Sequence, residues 1–543
     1  MAFDTILTPE LVENYTRQGY WQGRTITDFL DEYAAATPDK VAFIDPRGQV
    51  TYGQLRHLVD HAALGLLELG VRPGDVVSFQ LPNWIEWVIV HYAATRIGAV
   101  SNPLIPIYRE RELRFMVGLA KSKVLVIPSR FRGFDYPTMI ETCRPDWPAL
   151  EHILVVDGQP GEGTSSWEDF MATPWEERRD TGELATLRPD GNDVTLLIFT
   201  SGTTGEPKGV MHTHNTLVAM NTPLRERFSL SEVSVFHMAS TLAHLTGLAY
   251  GGRLPVQIGA TGVLQDVWSP AEFAQLVERH RITYTSAATP FLYDLLNLPD
   301  LDSYDVSSLE KFVCVGAPIP RVLVRRAGET LPSLTVHGGY GQSENGIVTV
   351  GIPGDPEEKV ISTDGYPLPG MRIRVVDDFL AELPPGTEGN LEVVGPFLFV
   401  GYAERLEMTR ESFDSEWFQT GDLAVIDADG YLSIAGRTKD VIIRGGENIP
   451  VAYVENVLYE HPDIESVAVV AVPDPRLQER ACACVVLKPG VEKFTMGDMK
   501  AFLESKGVAK PYWPERIELL TELPRTPSGK IQKFRLRDSL ASS

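Results

Sequence analysis

One loop in the middle of the chain combines residue types that bind anions. The segment FTSGTTGEPKGV at residues 199–210 has three glycines, four hydroxyl side chains and one lysine, and it follows the apolar run VTLLI at 194–198. Backbone N–H groups of a glycine-rich turn can point inward together, while hydroxyl groups add donors and lysine adds a positive charge. The loop therefore predicts a phosphate site after a buried strand, with a simple surface turn as the alternative. Its glycines do not fit the GxxxxGK[ST] order of a P-loop.

Further segments along the chain carry polar side chains beside glycine, proline or aromatic residues. They are VGAP at 315–318, GYGQSE at 339–344, WFQTGD at 417–422, GRTKD at 436–440 and PRTPSGK at 524–530. Together with the loop they resemble, in order, the motifs of the adenylate-forming superfamily of acyl-CoA synthetases, aryl-acid ligases and luciferases. The resemblance covers roughly residues 40 to 535, and the combination of motifs is far more specific than any one of them.

The resemblance implies an ATP site. The implied β- and γ-phosphate contacts are Thr200, Ser201, Gly202, Thr203, Thr204, Gly205 and Lys208. The implied adenine and ribose contacts are Gly316, Ala317, Pro318, Gly339, Tyr340, Gly341, Ser343, Asp422 and Arg437. In this scheme Tyr340 stacks on adenine, and Asp422 accepts hydrogen bonds from the ribose hydroxyls. Ser343 departs from the threonine that the superfamily more often has, but it keeps the hydroxyl group.

The resemblance also implies the chemistry, that of an ATP-dependent carboxylic acid–CoA ligase. Glu344 is the implied Mg²⁺ ligand, because Mg²⁺ prefers hard oxygen donors. Lys530 is the implied adenylation lysine, and His244 is an implied gate beside the α-phosphate, with a packed core histidine as its alternative. A loop with Gly445 and Gly446 would admit the pantetheine arm of coenzyme A. Lys530 is also the expected target of a lysine acetyltransferase, which would remove its charge.

The acid is the least specified part of the prediction. The resemblance places its pocket at residues 236–247, near 312–318 and at 338–347. Small and polar residues there favour a compact acid. The N-terminal segment resembles dihydroxybenzoate ligases and cyclohexanecarboxylate-type CoA ligases, but the Asn-Tyr-Pro run of the aryl-acid branch is absent. We therefore expect a cyclic, aromatic or short-to-medium-chain acid.

Composition excludes several classes of partner. The formal net charge is -24 over 543 residues, which disfavours nucleic acid and anionic membrane surfaces. No apolar run approaches the ~20 residues of a membrane span, and no signal peptide or peroxisomal tripeptide is recognisable. The four cysteines lack metal-binding spacing and are expected to be reduced thiols in or near the core. The expected location is the cytoplasm, and a homodimer is expected only from the habit of the superfamily.

Alternating helix and strand patterns predict an α/β fold over the first part of the chain. Examples are a capping box at residues 25–28, a helix over 52–69 and strands near 40–45, 76–81 and 124–128. From about residue 360 short β segments are separated by Pro and Gly. The last hundred residues predict a small α+β unit with helices at 450–459 and 496–506. We expect an N-terminal domain of residues 1–436, of α/β subdomains plus a β-rich one, and a small mobile C-terminal domain of 437–543 with its hinge near Lys439.

Three alternatives remain open at this stage. One is a ligase that loads a carrier protein, since carrier proteins share the pantetheine arm. Another is a non-catalytic nucleotide sensor, against which the intact Lys208, Glu344, Asp422, Arg437 and Lys530 argue. A luciferase-type monooxygenase is the third, and the missing peroxisomal tripeptide argues against it.

Overall fold

The structure is a computed structural model that describes residues 3–159, 161–200, 207–316, 319–437, 442–444, 447–474, 478–526 and 531–541. The predicted site residues Ser201, Gly202, Thr203, Thr204, Gly205, Ala317, Pro318, Gly445, Gly446 and Lys530, and the predicted hinge at Lys439, lie outside these residues. Predictions about them remain predictions.

The helices of the described residues alternate with strands over the first 350 residues, as predicted. The α-helices are α1 (Pro9–Arg17), α2 (Ile26–Ala36), α3 (Tyr52–Glu68), α4 (Ile85–Arg96), α5 (Glu110–Ala120), α6 (Tyr136–Cys143), α7 (Trp167–Ala172), α8 (Trp175–Arg178), α9 (Glu183–Thr186), α10 (His214–Arg227), α11 (Leu254–Gln257), α12 (Pro270–His280), α13 (Thr289–Leu296), α14 (Arg321–Thr330), α15 (Glu357–Ser362), α16 (Leu406–Glu411), α17 (Val451–Tyr459), α18 (Met496–Ser505) and α19 (Lys533–Ala541).

The strands fall into several sheets. They are β1 (Val41–Asp45), β2 (Gly48–Thr51), β3 (Val76–Phe79), β4 (Val100–Pro103), β5 (Val124–Pro128), β6 (Arg130–Phe131), β7 (Phe134–Asp135), β8 (His152–Val156), β9 (Ser165–Ser166), β10 (Val194–Thr200), β11 (Lys208–Thr213), β12 (Val235–Met238), β13 (Thr261–Leu264), β14 (Tyr284–Ala287), β15 (Lys311–Cys314), β16 (Thr335–Gln342), β17 (Gly346–Val350), β18 (Tyr366–Pro367), β19 (Arg372–Val376), β20 (Glu388–Val394), β21 (Gly401–Tyr402), β22 (Phe413–Asp414), β23 (Trp417–Ile426), β24 (Leu432–Arg437), β25 (Ile442–Arg444), β26 (Glu447–Ile449), β27 (Ile464–Asp474), β28 (Gln478–Leu487) and β29 (Arg516–Leu519).

Local sequence rules explain several of these elements. Thr25 and Asp28 form the predicted capping box, because each side chain accepts the backbone N–H of the other residue at the start of α2. A second capping box, between Thr51 and Gln54, begins α3. The predicted helices and strands listed for residues 25–128 are therefore confirmed within one to three residues, the usual uncertainty of helix ends.

Two large sheets enclose the core of the N-terminal part. One has the strand order β21-β11-β10-β4-β3-β5-β8-β9, and the other has the order β18-β17-β16-β15-β14-β12-β13-β1-β2. Helix α4 is buried on nearly every side, from Ile85 to Thr95, as expected for a helix packed between layers. One continuous hydrophobic cluster joins side chains of both sheets with α3 and α4. This core fixes the two sheets against each other and so positions the residues at their edges.

The β-rich and C-terminal parts have sheets of their own. Strands β19, β20, β22, β23 and β24 form an antiparallel sheet. Strands β25 to β29 form a second sheet, in which β28 and β29 pair in parallel and the other pairs are antiparallel. The change of sheet falls between Arg437 and Ile442. The predicted mixed α/β class, with a large N-terminal and a smaller C-terminal part, is confirmed; the exact domain boundary stays a prediction.

Other predictions from composition can be compared with the described residues. All four cysteines are buried and none forms a disulfide. No helix in the described ranges has the length and apolar character needed to cross a membrane.

Candidate active site

A long cleft of about 3220 Å³ brings most of the described candidate residues together. Its lining includes Thr200, Lys208, His244, Gly316, Gly339, Tyr340, Gly341, Ser343, Glu344, Asp422 and Arg437. Most of these residues come from the carboxyl ends of β10, β15 and β16 and from β11, β23 and β24, while His244 lies in the segment after β12. The cleft continues past side chains of α17 in the C-terminal part. Ends of parallel strands are a common place for ligand sites in α/β folds.

The Asp422 carboxylate is the most densely bonded group in the cleft. Its Oδ2 accepts hydrogen bonds from the Tyr340 hydroxyl and from Gln342 Nε2, both at 2.7 Å. Its Oδ1 lies 3.2 Å from Arg437 Nε, which is opposite Asp422 in the β23–β24 pairing. A carboxylate has about four lone-pair positions. A bound diol would therefore take the remaining position or replace one of these donors.

Tyr340 is held in place by the same contacts. The residue is only 8% exposed, and burial next to Asp422 raises the pKa of its hydroxyl well above the usual value. The hydroxyl therefore stays protonated and donates to Asp422. Tyr340 and Gly316 both line the cleft.

Glu344 lies at the other end of the same motif. Tyr402 donates its hydroxyl hydrogen bond to Glu344 Oε1 at 3.0 Å. Burial raises the pKa of the Glu344 carboxyl, while the Tyr402 hydrogen bond and the charge of Lys208 act in the opposite direction. Lys208 Nζ lies 4.6 Å from the centre of the Tyr402 ring. One acidic and one basic group thus share a partly buried end of the cleft.

The buried His212 side chain is hydrogen-bonded to the segment that carries Glu344. His212 Nε2 donates to the carbonyl oxygen of Ser343 at 2.7 Å, and its Nδ1 accepts from Thr216. Burial lowers the pKa of His212 to about 4, so the ring is neutral at pH 7 and can donate from one nitrogen and accept at the other. His212 therefore fixes the turn between Tyr340 and Glu344 without adding charge.

His244 is half-buried and lines the cleft, which differs from the packed-core alternative. Its Nδ1 accepts from the Thr246 N–H at 3.4 Å. A π-helix follows at residues 247–253 and carries Tyr250, whose hydroxyl accepts the Ile347 N–H at 2.8 Å. π-Helical turns are rare and occur frequently at functional sites. Ser240, Leu245 and Thr246 line the same wall.

The acid-pocket prediction for residues 236–247 is only partly matched. Phe236, His237 and Met238 are buried in the core and are not among the cleft-lining residues. His237 bonds Thr285 and Gln265 instead. These three residues belong to β12, a central strand whose side chains face packed helices, so only the segment after the strand reaches the cleft.

Sequence reasoning missed three contributors to the cleft. Tyr402 binds Glu344, Gln342 binds Asp422, and Asp364 lines the cleft near Gly338. Gln342 lies inside the GYGQSE motif at residues 339–344, so its position could have indicated a role in the site. Neither Tyr402 nor Asp364 has a local signal, because each meets its partner only through the pairing of distant strands. Among the described residues no cluster of three or more metal-binding side chains is present.

Gly341 offers a stability prediction at the centre of the site. A Cβ at Gly341 would lie 1.9 Å from the Gly346 carbonyl oxygen. Because that neighbour is backbone, we expect Gly341→Ala to destabilise the protein by about 3 kcal/mol through overpacking. Thermal denaturation would measure the loss.

The matched control for Gly341→Ala is Gly328→Ala on α14. A Cβ there meets nothing within 4 Å, so alanine should stabilise the helix by about 0.5–1 kcal/mol. Equal melting temperatures for the two variants would contradict the close-packing argument.

The amino-acid sequence of this chain matches the models of a known protein family. The family described as AMP-binding enzyme matches residues 30–403, and the AMP-binding enzyme C-terminal domain matches residues 453–530. A medium-chain fatty-acid–CoA ligase of Escherichia coli K12 is 38% identical over 97% of this chain and 92% of its own length. A salicylyl-CoA synthase / salicylate adenylyltransferase of a Streptomyces species is 31% identical over 97% and 96%.

Solved structures agree with the sequence comparison. The crystal structure of the anthranilate CoA ligase AuaEII in complex with anthranoyl-AMP has a TM-score of 0.86 at 27% identity, covering 95% of this chain and 97% of that one. Both domain matches, nearly full-length relatives and the shared fold lead to one conclusion. The chain belongs to the AMP-binding enzyme family.

Proposed function

We propose that this acyl-CoA ligase activates a compact carboxylic acid with ATP and transfers the acyl group to coenzyme A. In the first half-reaction a carboxylate oxygen bonds to the α-phosphorus of ATP and pyrophosphate leaves. In the second, the thiol sulfur bonds to the acyl carbon and AMP leaves. The observation that carries the proposal is the placement of Tyr340, Asp422, Lys208 and Glu344 along one cleft.

The nucleoside would occupy the end of the cleft at Asp422. Adenine would stack on the Tyr340 ring near the backbone at Gly316, and the ribose hydroxyls would lie beside Asp422 and Arg437. The donors already on Asp422 hold its carboxylate in position, which prepares it to accept hydrogen bonds from a diol. These residues bind and orient the nucleotide rather than react with it.

The phosphates would lie toward Lys208 and the loop at 201–206. The Glu344 carboxylate fits Mg²⁺ bound to ATP, because that ion commonly takes one or two protein carboxylates and completes its ligands with phosphate oxygens and water. When bound, Mg²⁺ neutralises phosphate charge. Lys208 contributes a fixed positive charge in the same region, and Tyr402 orients the Glu344 carboxyl group.

The acid would bind against the wall of the cleft that is formed by Ser240, His244, Leu245, Thr246 and Tyr250. The Tyr250 hydroxyl is bonded to the Ile347 backbone, and Gly346 packs against Tyr250 and Met220. These contacts hold this wall in place, and we propose that it lines the binding site of a medium-length aliphatic or a single-ring acid. The names of the Escherichia coli and Streptomyces relatives support both types.

Coenzyme A is the proposed acceptor, and the loop with Gly445 and Gly446 is its proposed entry. Movement of residues 437–543 about Lys439 would exchange Lys530 for that loop between the half-reactions. The roles of Lys439, Gly445, Gly446 and Lys530 stay predictions from the resemblance. The homodimer and the acetylation of Lys530 also stay predictions. A carrier protein in place of coenzyme A is the second candidate, because the pantetheine arm is the same.

An acid panel tests the function. Pyrophosphate release should require both MgATP and an acid, and kcat/KM should rise about fourfold per buried methylene until the pocket is full, then fall. Adding coenzyme A should convert the adenylate to a thioester and release AMP, measured by mass spectrometry. Reactions without acid, and with a carrier protein instead of coenzyme A, are the controls. ATP binding without turnover of any acid would favour the sensor alternative.

A further inference from the structure

One carboxylate in the nucleotide end of the cleft has no role in the scheme above. Asp364 lies between α15 and β18 and lines the cleft with Gly316, Gly338, Tyr340 and Ile434. It is partly buried. In the described part of the chain no ion pair involves it, and the nearby Arg321 guanidinium acts on it only through its charge. A carboxylate of this kind must find another donor or remain poorly solvated.

The backbone holds Asp364 in a fixed position. Its N–H donates to the Leu432 carbonyl oxygen and its own carbonyl accepts from the Thr349 hydroxyl, both at 2.7 Å. The next residue, Gly365, has φ +90, and a Cβ there would lie 2.2 Å from the Val350 carbonyl carbon. This turn therefore locks Asp364 between β17 and β24.

One side of the carboxylate is bonded and the other is available to the cleft. The Ile434 N–H on β24 donates to Asp364 Oδ2 at 2.8 Å, which leaves Oδ1 as an acceptor. Gly338 packs close to the turn that carries Asp364. A Cβ at Gly338 would lie 3.1 Å from the Thr363 carbonyl oxygen and 3.9 Å from Asp364 Cα, so a larger side chain would crowd the backbone of this turn.

Two residues of β24 contact Asp364 and the ribose end of the cleft. Ile434 holds Asp364, and Arg437 on the same strand pairs with Asp422. Three residues of strand span about 10 Å, which is close to the distance between the ribose hydroxyls and the exocyclic amino group of a nucleoside. An adenosine with its ribose at Asp422 and its ring on Tyr340 would point its 6-amino group toward Asp364.

We propose that the Asp364 carboxylate accepts a hydrogen bond from the 6-amino group of adenine and so selects ATP among purine nucleotides. The proposal rests on the proposed function for the orientation of the nucleotide. Hypoxanthine and guanine carry a carbonyl oxygen at this position, and two acceptors facing each other disfavour binding. Asp364 is thus a specificity residue that contacts the base.

A four-way comparison tests the proposal. The wild type and Asp364→Ala are each given ATP and purine riboside 5′-triphosphate, in which hydrogen replaces the 6-amino group. The wild type should prefer ATP by about 10-fold to 100-fold in kcat/KM, the range of a hydrogen bond to a charged group. Asp364→Ala should use both nucleotides nearly equally. If Asp364→Ala weakens both nucleotides by the same factor, the residue is structural and the proposal is wrong.

A conservative variant sharpens the test. In Asp364→Asn the side-chain oxygen can keep the Ile434 N–H bond, which turns the amide NH₂ group toward the base. This variant should raise the use of ITP relative to ATP; an unchanged ratio would count against the proposal. Asp302→Ala, at an exposed carboxylate that does not line the cleft, should keep the wild-type preference for ATP.

Binding separates this inference from the proposed function. Calorimetric titration of the same variants with ATP and purine riboside 5′-triphosphate needs no acid and no turnover. If no acid releases pyrophosphate but the wild type still binds ATP more tightly in an Asp364-dependent way, the base-recognition proposal holds and only the ligase proposal fails. Equal binding of the two nucleotides by the wild type overturns the recognition proposal whatever the enzyme turns over.

Discussion

Lys530→Ala is expected to lower acid-dependent pyrophosphate release by about 10²-fold to 10³-fold, the usual cost of removing one group that stabilises transition-state charge. The reason is that charge accumulates on the α-phosphate while the carboxylate attacks, and Lys530 is the predicted mobile cation for that step. The second half-reaction should change little, because synthetic acyl-adenylate bypasses the need for Lys530. Pyrophosphate release and thioester formation, measured separately, check both expectations.

The matched control is Lys510→Ala in the same part of the chain. The Lys510 side chain is 76% exposed and only loosely paired with Glu504, so its loss should leave both half-reactions unchanged. Equal loss of both half-reactions in Lys530→Ala would contradict the role assigned to this lysine. It would point instead to a general effect on the fold of the C-terminal part.

Asp422→Ala is expected to have the next largest effect. The change removes the acceptor of Tyr340, Gln342 and Arg437 at once. We expect kcat/KM for ATP to fall about 100-fold, because hydrogen bonds to a charged group are worth about 1.5–3 kcal/mol. The unpaired, buried Tyr340 hydroxyl should also cost about 1–3 kcal/mol of stability. Steady-state kinetics in ATP and thermal denaturation measure the two effects.

Asp429→Ala on the neighbouring β-turn is the control for that prediction. Its carboxylate is 68% exposed and shares Lys359 with Asp427, so its removal should change neither ATP use nor stability appreciably. A fall in melting temperature with an unchanged KM for ATP in Asp422→Ala would make Asp422 a structural residue. A raised KM in both variants would indicate an indirect effect of lost surface charge.

Features that depend on residues close together in the chain could be predicted from the sequence. Helix caps such as Thr25 with Asp28 are readable because the partners are three residues apart. The strand before the glycine-rich loop could be predicted from its continuous apolar run. The helix over 52–69 could be predicted from the helical spacing of its apolar residues. The motif residues were identified by resemblance, and the structure places the described ones along one cleft.

The sequence by itself determined the fold class, the family motifs and the local elements, because caps, periodicity and motif spacing are properties of neighbouring residues. Only the tertiary structure decided which distant side chains meet: Tyr340 with Asp422, 82 residues away, Glu344 with Tyr402, 58 residues away, and Asp364 with Ile434, 70 residues away. Such contacts depend on the register of non-adjacent strands and on how the sheets pack, which no local rule encodes. The acid-pocket wall shows the same limit, since β12 carried Phe236 to Met238 into the core while the segment after it reached the cleft.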